Sequence, residues 1–242
     1  MSPRISVART DVPYLPKQHI EREAELVLAE CAETIGAITA PPVPIDEIIE
    51  LHLKLVVEFQ NMRELFPYGD VHGALWMREQ RVGVDASLDP ALNPRKRGRY
   101  HFTLAHEAGH WRLHRKYYLE DVAQGRLFGD DLAKPAYVCR SSDKRPVEWQ
   151  ADQFAANLLM PRKLVYAAWD AWRGNSTAVA IAELRSTPAP GRRADGEDAT
   201  DEEVMDDFCR PLADRFQVSR EAMRIRLGEL ELLVRARAAT LF

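Results

Sequence analysis

The segment RYHFTLAHEAGHWRLH, residues 99–114, holds four of the chain's seven histidines. It follows a loop punctuated by Pro90, Pro94 and Gly98 and reads as a helix from about Arg99 to Tyr118. Residues four apart on a helix share a face and lie about 6 Å apart along its axis. His106 and His110 of the HExxH sequence His106-Glu107-Ala108-Gly109-His110 can therefore converge on one cation. Two imidazoles so spaced suit Zn2+, whose bonds to nitrogen are about 2.0–2.1 Å long. Glu107, from the same turn, is placed to act on a water as general base. The competing reading is a polar helix with histidines in solvent. His114 lies eight residues beyond His106, about 12 Å along the helix, too far to share its metal; it reads as a packing or hydrogen-bonding residue.

A catalytic zinc needs a third protein ligand, which constrains how the rest of the chain must fold around this helix. The segment PVEWQADQFAANLLM (146–160) reads as a second helix, with a proline in its first turn and Pro161 as its stop. Glu148 and Asp152 share one of its faces, and Ala151, Phe154, Ala155, Leu158 and Leu159 cover the neighbouring one. Carboxylates beside a buried stripe need partners. A metal for Glu148 and a histidine N–H for Asp152 would supply them. An exposed acidic face explains the pattern equally well, and the residues themselves do not choose.

Elsewhere, residues 18–36 and 45–53 read as amphipathic helices. KLVVEF (54–59), VHGALWM (71–77) and RVGVDA (81–86) read as strands, the last two as a hairpin. Helices, then a small sheet, then helices imply an α+β domain with a helical C-terminal unit. The composition (46% hydrophobic, 29% charged, net charge −4) is that of an ordinary globular protein and gives no sign of a dedicated nucleic-acid or membrane surface. Three scattered cysteines make no disulfide framework. With no apolar leader and no run of about 18 apolar residues, a cytoplasmic location and no membrane partner are expected.

HExxH with Gly109, preceded by RYHFTLA and followed by EWQADQFAANLLMP, closely resembles the ImmA/IrrE family of metallo-endopeptidases. The E-x-x-x-D spacing is also similar to that of thermolysin-like gluzincins. The resemblance runs from about Val12 to Leu233, since VPYLP, PPVPIDEIIELHLKL and GAL also look like this family. It implies a zincin-like metallopeptidase domain, its small sheet packed on the active-site helices. His106, His110 and Glu148 would bind one Zn2+ per chain, Glu107 would be the catalytic acid/base, and Asp152 would hold a ligand histidine. Ala108 departs slightly, standing where many relatives carry a larger apolar residue. Mn2+ or Fe2+ could also occupy such a site. The implied substrate is a regulatory protein, typically a helix–turn–helix repressor, whose cleavage derepresses stress-response or mobile-element genes. Hydrolysis also requires a group to stabilise the oxyanion. Tyr137, Arg140, His114 and Tyr100 are candidates that the sequence does not separate. VHGALWM is read as the sheet edge to which a substrate strand would add, with a core strand as the alternative.

The expected organisation is an extension (1–17), the peptidase domain (18–184), a flexible acidic linker (185–204) and a helix–turn–helix-like segment (205–242). Ser219 is placed to cap the segment's second helix. Seven arginines from Phe208 onward raise DNA contact as a possibility. Eight acids between Asp195 and Asp207 oppose it, and a packed helical hairpin is the preferred reading. The alternative for the whole chain is a DNA- or protein-binding regulator with a structural or non-catalytic metal site.

Overall fold

The HExxH helix is the element against which the rest of its unit is arranged. The structure, a computed structural model, describes residues 12–67, 70–127, 129, 133–140, 145–186 and 199–235. Its contacts divide the chain into two compact units, Met1–Pro161 and Arg162–Phe242. The architecture is mixed α+β, mostly helical with a small sheet.

The first unit begins with α1 (Lys17–Ile35), which buries Ile20, Ala24, Val27 and Cys31 at helical spacing and ends at Gly36 with φ 87°. A short α2 (Ile45–Glu47) runs into a π-helical turn, Ile48–His52. Strand β1 (Val56–Gln60), helix α3 (Met62–Leu65) and strands β2 (Val71–Trp76) and β3 (Arg81–Asp85) follow. Helix α4 (Arg97–Gly109) carries HExxH into a second π-helical turn, His110–His114, and then into α5 (Arg115–Ala123). Strand β4 (Tyr137–Arg140) and helix α6 (Pro146–Leu159) complete the unit.

The sheet order is β1-β3-β2-β4, with β1 parallel to β3 and the other pairs antiparallel. This corrects the expectation for VHGALWM: β2 lies between two strands and cannot accept another. Its nearly continuous apolar run reflects burial on both faces. On one face Ala74, Trp76 and Val138 pack with Met62 and Phe66. On the other, Gly73 faces α4, where an added Cβ would lie 2.5 Å from Thr103 Cγ2. Among the described residues the sheet's edges are β1 and β4. Strand β4, four residues in a weakly patterned stretch, had no signal of its own in the sequence.

Helices α4 and α6 pack closely, and Gly109 is the reason. A Cβ there would stand 3.1 Å from Ala151 Cα and 3.2 Å from both its carbonyl oxygen and Phe154 Cβ. The glycine thus forgoes about 1 kcal/mol of helix propensity and lets the two helices approach. Helix α1 lies against the same α6. An extended segment ahead of α1 is tied to α6 as well. There Tyr14 stacks on Trp149 at 5.8 Å, and the Pro13 carbonyl accepts from Gln150 at 3.1 Å.

The second unit comprises α7 (Arg162–Arg173), β5 (Val179–Ala180), α8 (Ile181–Ser186), α9 (Asp201–Phe216), α10 (Arg220–Glu229) and β6 (Leu233–Val234). Trp169 is fully buried beside Phe208 at 6.1 Å. Of the segment read as linker, 187–198 lies outside the described residues. From Thr200 the chain is helical, opened by a reciprocal capping box between Thr200 and Glu203. Ser219 caps α10 by accepting from the Ala222 amide at 3.0 Å. No helix among the described residues is long and apolar enough to cross a membrane.

Candidate metal centre

Helix α4 presents His106 and His110 one turn apart, and α6 brings Glu148 against them. His106 Nε2 and His110 Nε2 are 3.0 Å apart, and Glu148 Oε2 lies 3.2 Å and 3.4 Å from them. Ligand atoms on a tetrahedral zinc with bonds of about 2.0–2.1 Å are separated by about 3.3 Å. The three atoms therefore already stand at the spacing that zinc requires of its ligands.

The outer hydrogen bonds aim these atoms. His106 Nδ1–H donates to Asp152 Oδ1 at 2.8 Å, which leaves a lone pair on Nε2. His110 is fixed by a longer relay. Gln150 donates to the Pro13 carbonyl, so its Oε1 accepts from His114 Nε2–H at 3.2 Å. His114 Nδ1 then accepts from His110 Nδ1–H at 2.9 Å, which leaves the His110 lone pair on Nε2. The π-helical turn His110–His114 carries His114 round to meet His110. Glu148 Oε1 is held by Arg145 at 3.2 Å, which leaves Oε2 for the histidines.

Two lone pairs and a carboxylate oxygen facing one another call for positive charge between them. The pKa directions agree. Burial works against an ionised Glu148, but charge and hydrogen bonds from His110 and His106 hold it well below the usual carboxylate range. Burial also opposes charge on His106, yet Cys139, Asp152 and Glu148 together raise its pKa well above that of a free imidazole. His110 and His114 are lowered, each chiefly by burial, His114 to about 3. Neutral His114 is the form that the relay requires. Without another cation, a proton on His106 supplies the charge, and a divalent ion at the same place would replace it.

Glu107 is fully buried, and neither of its carboxylate oxygens has a hydrogen-bond partner among the described residues. Burial pushes its pKa up to about 8, with Glu148 adding to the effect and His106 opposing it. Room for it comes from β2, since a Cβ on Gly73 would lie 2.8 Å from Glu107 Oε1. A buried acid with no partner among the described residues and one bare strand position beside it leaves room for a water or a ligand.

The family model Peptidase_M78, described as an IrrE N-terminal-like domain, matches residues 91–183. Residues 91–183 are thus similar to IrrE N-terminal-like domains. No curated protein matches the chain. The match supports a function of metallopeptidase type, for which a metal cofactor is expected. The matched span contains α4, β4 and α6, and so His106, Glu107, His110, Glu148 and Asp152.

Within the IrrE-like domain the four oxyanion candidates fare differently. Tyr137 is at the site, its ring stacked on His110 at 4.1 Å and 9°. Arg140 is in the same strand, and its side chain lies outside the described residues. His114 faces no substrate, because both its ring nitrogens are engaged and it is fully buried. Tyr100 is committed elsewhere, its hydroxyl donating to Asp46 at 2.5 Å. The sequence reading missed Gln150, Arg145, Gly73 and Cys139. Cys139, two residues from Tyr137 on β4, approaches His106 and Glu107. The period of two along a strand could have paired it with Tyr137, had β4 been recognised.

Proposed function

We propose that the chain is a zinc-dependent endopeptidase that cleaves a specific regulatory protein, a helix–turn–helix repressor by family resemblance, to derepress stress-response or mobile-element genes. The observation that carries the peptidase reading is the unpartnered buried Glu107 beside three converging ligand atoms. A structural metal site has no use for such a base. His106, His110 and Glu148 would hold the ion, with Asp152 orienting His106 and His114 orienting His110. A bound zinc would supply Lewis acidity, both to activate a water and to polarise the scissile carbonyl. Glu107 takes a proton from the attacking water and delivers it to the departing amine, so that one water is consumed and one peptide bond is broken. Tyr137, beside His110, is the candidate to stabilise the oxyanion.

The arginines of the second unit do not favour the regulator reading. Asp207 pairs with Arg210 and Arg220, Asp206 with Arg224, and Glu202 with Arg235. The acids of α9 thus already neutralise side chains that a phosphate backbone would need. The test is incubation of the zinc-loaded chain with candidate repressors from its own source. Cleavage that Glu107→Gln abolishes while zinc stays bound is expected. Cleavage that survives this change would sink the proposal.

A further inference from the structure

Cys139 has no part in the proposed reaction, yet it stands within the same cluster. Of the three cysteines, Cys31 and Cys209 are buried and Cys139 is only partly so. Among the described residues two groups of side chains could hold a metal. One is His106, His110 and Glu148; the other is His106, Glu107 and Cys139, whose ligand atoms all lie within 4.8 Å of one another. Strand β4 explains the second group. Tyr137 stacks over His110, and Cys139, two residues on and therefore on the same face, comes over His106. Glu107 supplies the observation that a cysteine alone would lack, because its carboxylate is fully buried, belongs to this group and has no hydrogen-bond partner among the described residues.

We propose that His106, Glu107 and Cys139 form a second metal site, selective for thiophilic divalent cations such as cadmium or excess zinc, that overlaps the first. Thiolate ligands favour soft and borderline ions, while imidazole and carboxylate keep zinc acceptable. On binding, the protons held by the Cys139 thiol, the Glu107 carboxyl and His106 pass to solvent, and the sulfur bonds the ion as thiolate. His106 belongs to both groups, so an ion in one draws a ligand from the other. An ion in the second also takes up the Glu107 carboxylate; that this inhibits peptide hydrolysis rests on the function proposed above, whereas the site itself does not.

The test is titration of the metal-free full-length chain with Cd2+, read by the ultraviolet thiolate-to-cadmium charge-transfer absorbance. The band is expected in wild type and in His110→Ala, and is expected to be absent in Cys139→Ser. Saturation with zinc beforehand is expected to suppress it. No band in wild type, or a band that persists in Cys139→Ser, overturns the site. Loss of the band in His110→Ala would make Cys139 a ligand of the first site instead and overturns the overlap, as would full development of the band at full zinc occupancy. Should Cys139→Ser fail to fold, wild type alone decides the matter through thiol alkylation mapped by mass spectrometry. Cadmium must protect Cys139, and full alkylation at saturating cadmium refutes the proposal. Failure of the peptidase reading shows separately, as zinc content or repressor cleavage indifferent to His110→Ala, with the cadmium band unaffected.

Discussion

Glu107 should make the metal-free chain less stable as pH rises, and Glu107→Gln should remove that dependence. Burial raises the carboxyl from an ordinary 4.5 to about 8 in the folded chain. Between those values the folded state keeps a proton that the unfolded state has released, so stability falls as pH climbs through the window. At about 1.4 kcal/mol per pH unit the loss reaches about 3 kcal/mol at pH 7. Glutamine has a similar shape and nothing to titrate. Thermal melts of both proteins in chelator, at pH 5 and pH 8, give the comparison. The gap between them should shift in favour of Glu107→Gln by roughly 7–14 °C from the lower to the higher pH, a difference of about 3.5 kcal/mol at about 2–4 °C per kcal/mol for a chain of this size. A gap equal at both pH values would refute the reasoning, because it would mean that Glu107 is solvated or partnered as a carboxylate.

Three further outcomes follow from the packing. Gly73→Ala should displace Glu107 while sparing the ligand triad, so that zinc content is kept, cleavage is lost and stability falls by about 1–3 kcal/mol; retained cleavage would contradict the contact. Gly109→Ala, which in an isolated helix would gain about 1 kcal/mol, should instead lower the melting temperature and weaken zinc binding by pushing α6 and Glu148 away. A stabilised variant would show that the helices do not need this approach. Gln150→Leu cuts the relay behind His110 and should weaken zinc about 10–100-fold in a competition titration with a chelator, and an unchanged affinity would remove the relay from the account.

Much of this arrangement can be read from the amino acids, for reasons that differ from element to element. The HExxH helix and α6 are legible because helical periodicity places His106 with His110 and Glu148 with Asp152 whatever the rest of the chain does. What a helix packs against is not local information, and so Glu148 remained a choice between metal and solvent until α6 was seen against α4. His114 reads as a packing or hydrogen-bonding residue, and its bond to His110 depends on a π-helical turn that no residue pattern announces. The edge of the sheet was misplaced because a strand buried on both faces and an apolar edge strand read alike, while β4, the actual neighbour of the histidines, is four residues long. Gln150 and Gly73 act through contacts across 36 and 34 residues of sequence respectively, to His114 and Glu107, which no window of helix or strand length can contain.

The central claim is that His106, His110 and Glu148 together hold the metal, and metal content tests it most directly. Wild type, His110→Ala and Glu148→Ala, purified without chelator and dialysed against metal-free buffer, should be weighed by native mass spectrometry. The account predicts one zinc on each wild-type chain and its loss from both variants, whose remaining His106, Glu107 and Cys139 take zinc only when it is supplied in excess. Zinc retained at wild-type level by both variants, or a wild-type chain that binds none even when zinc is supplied, would contradict it.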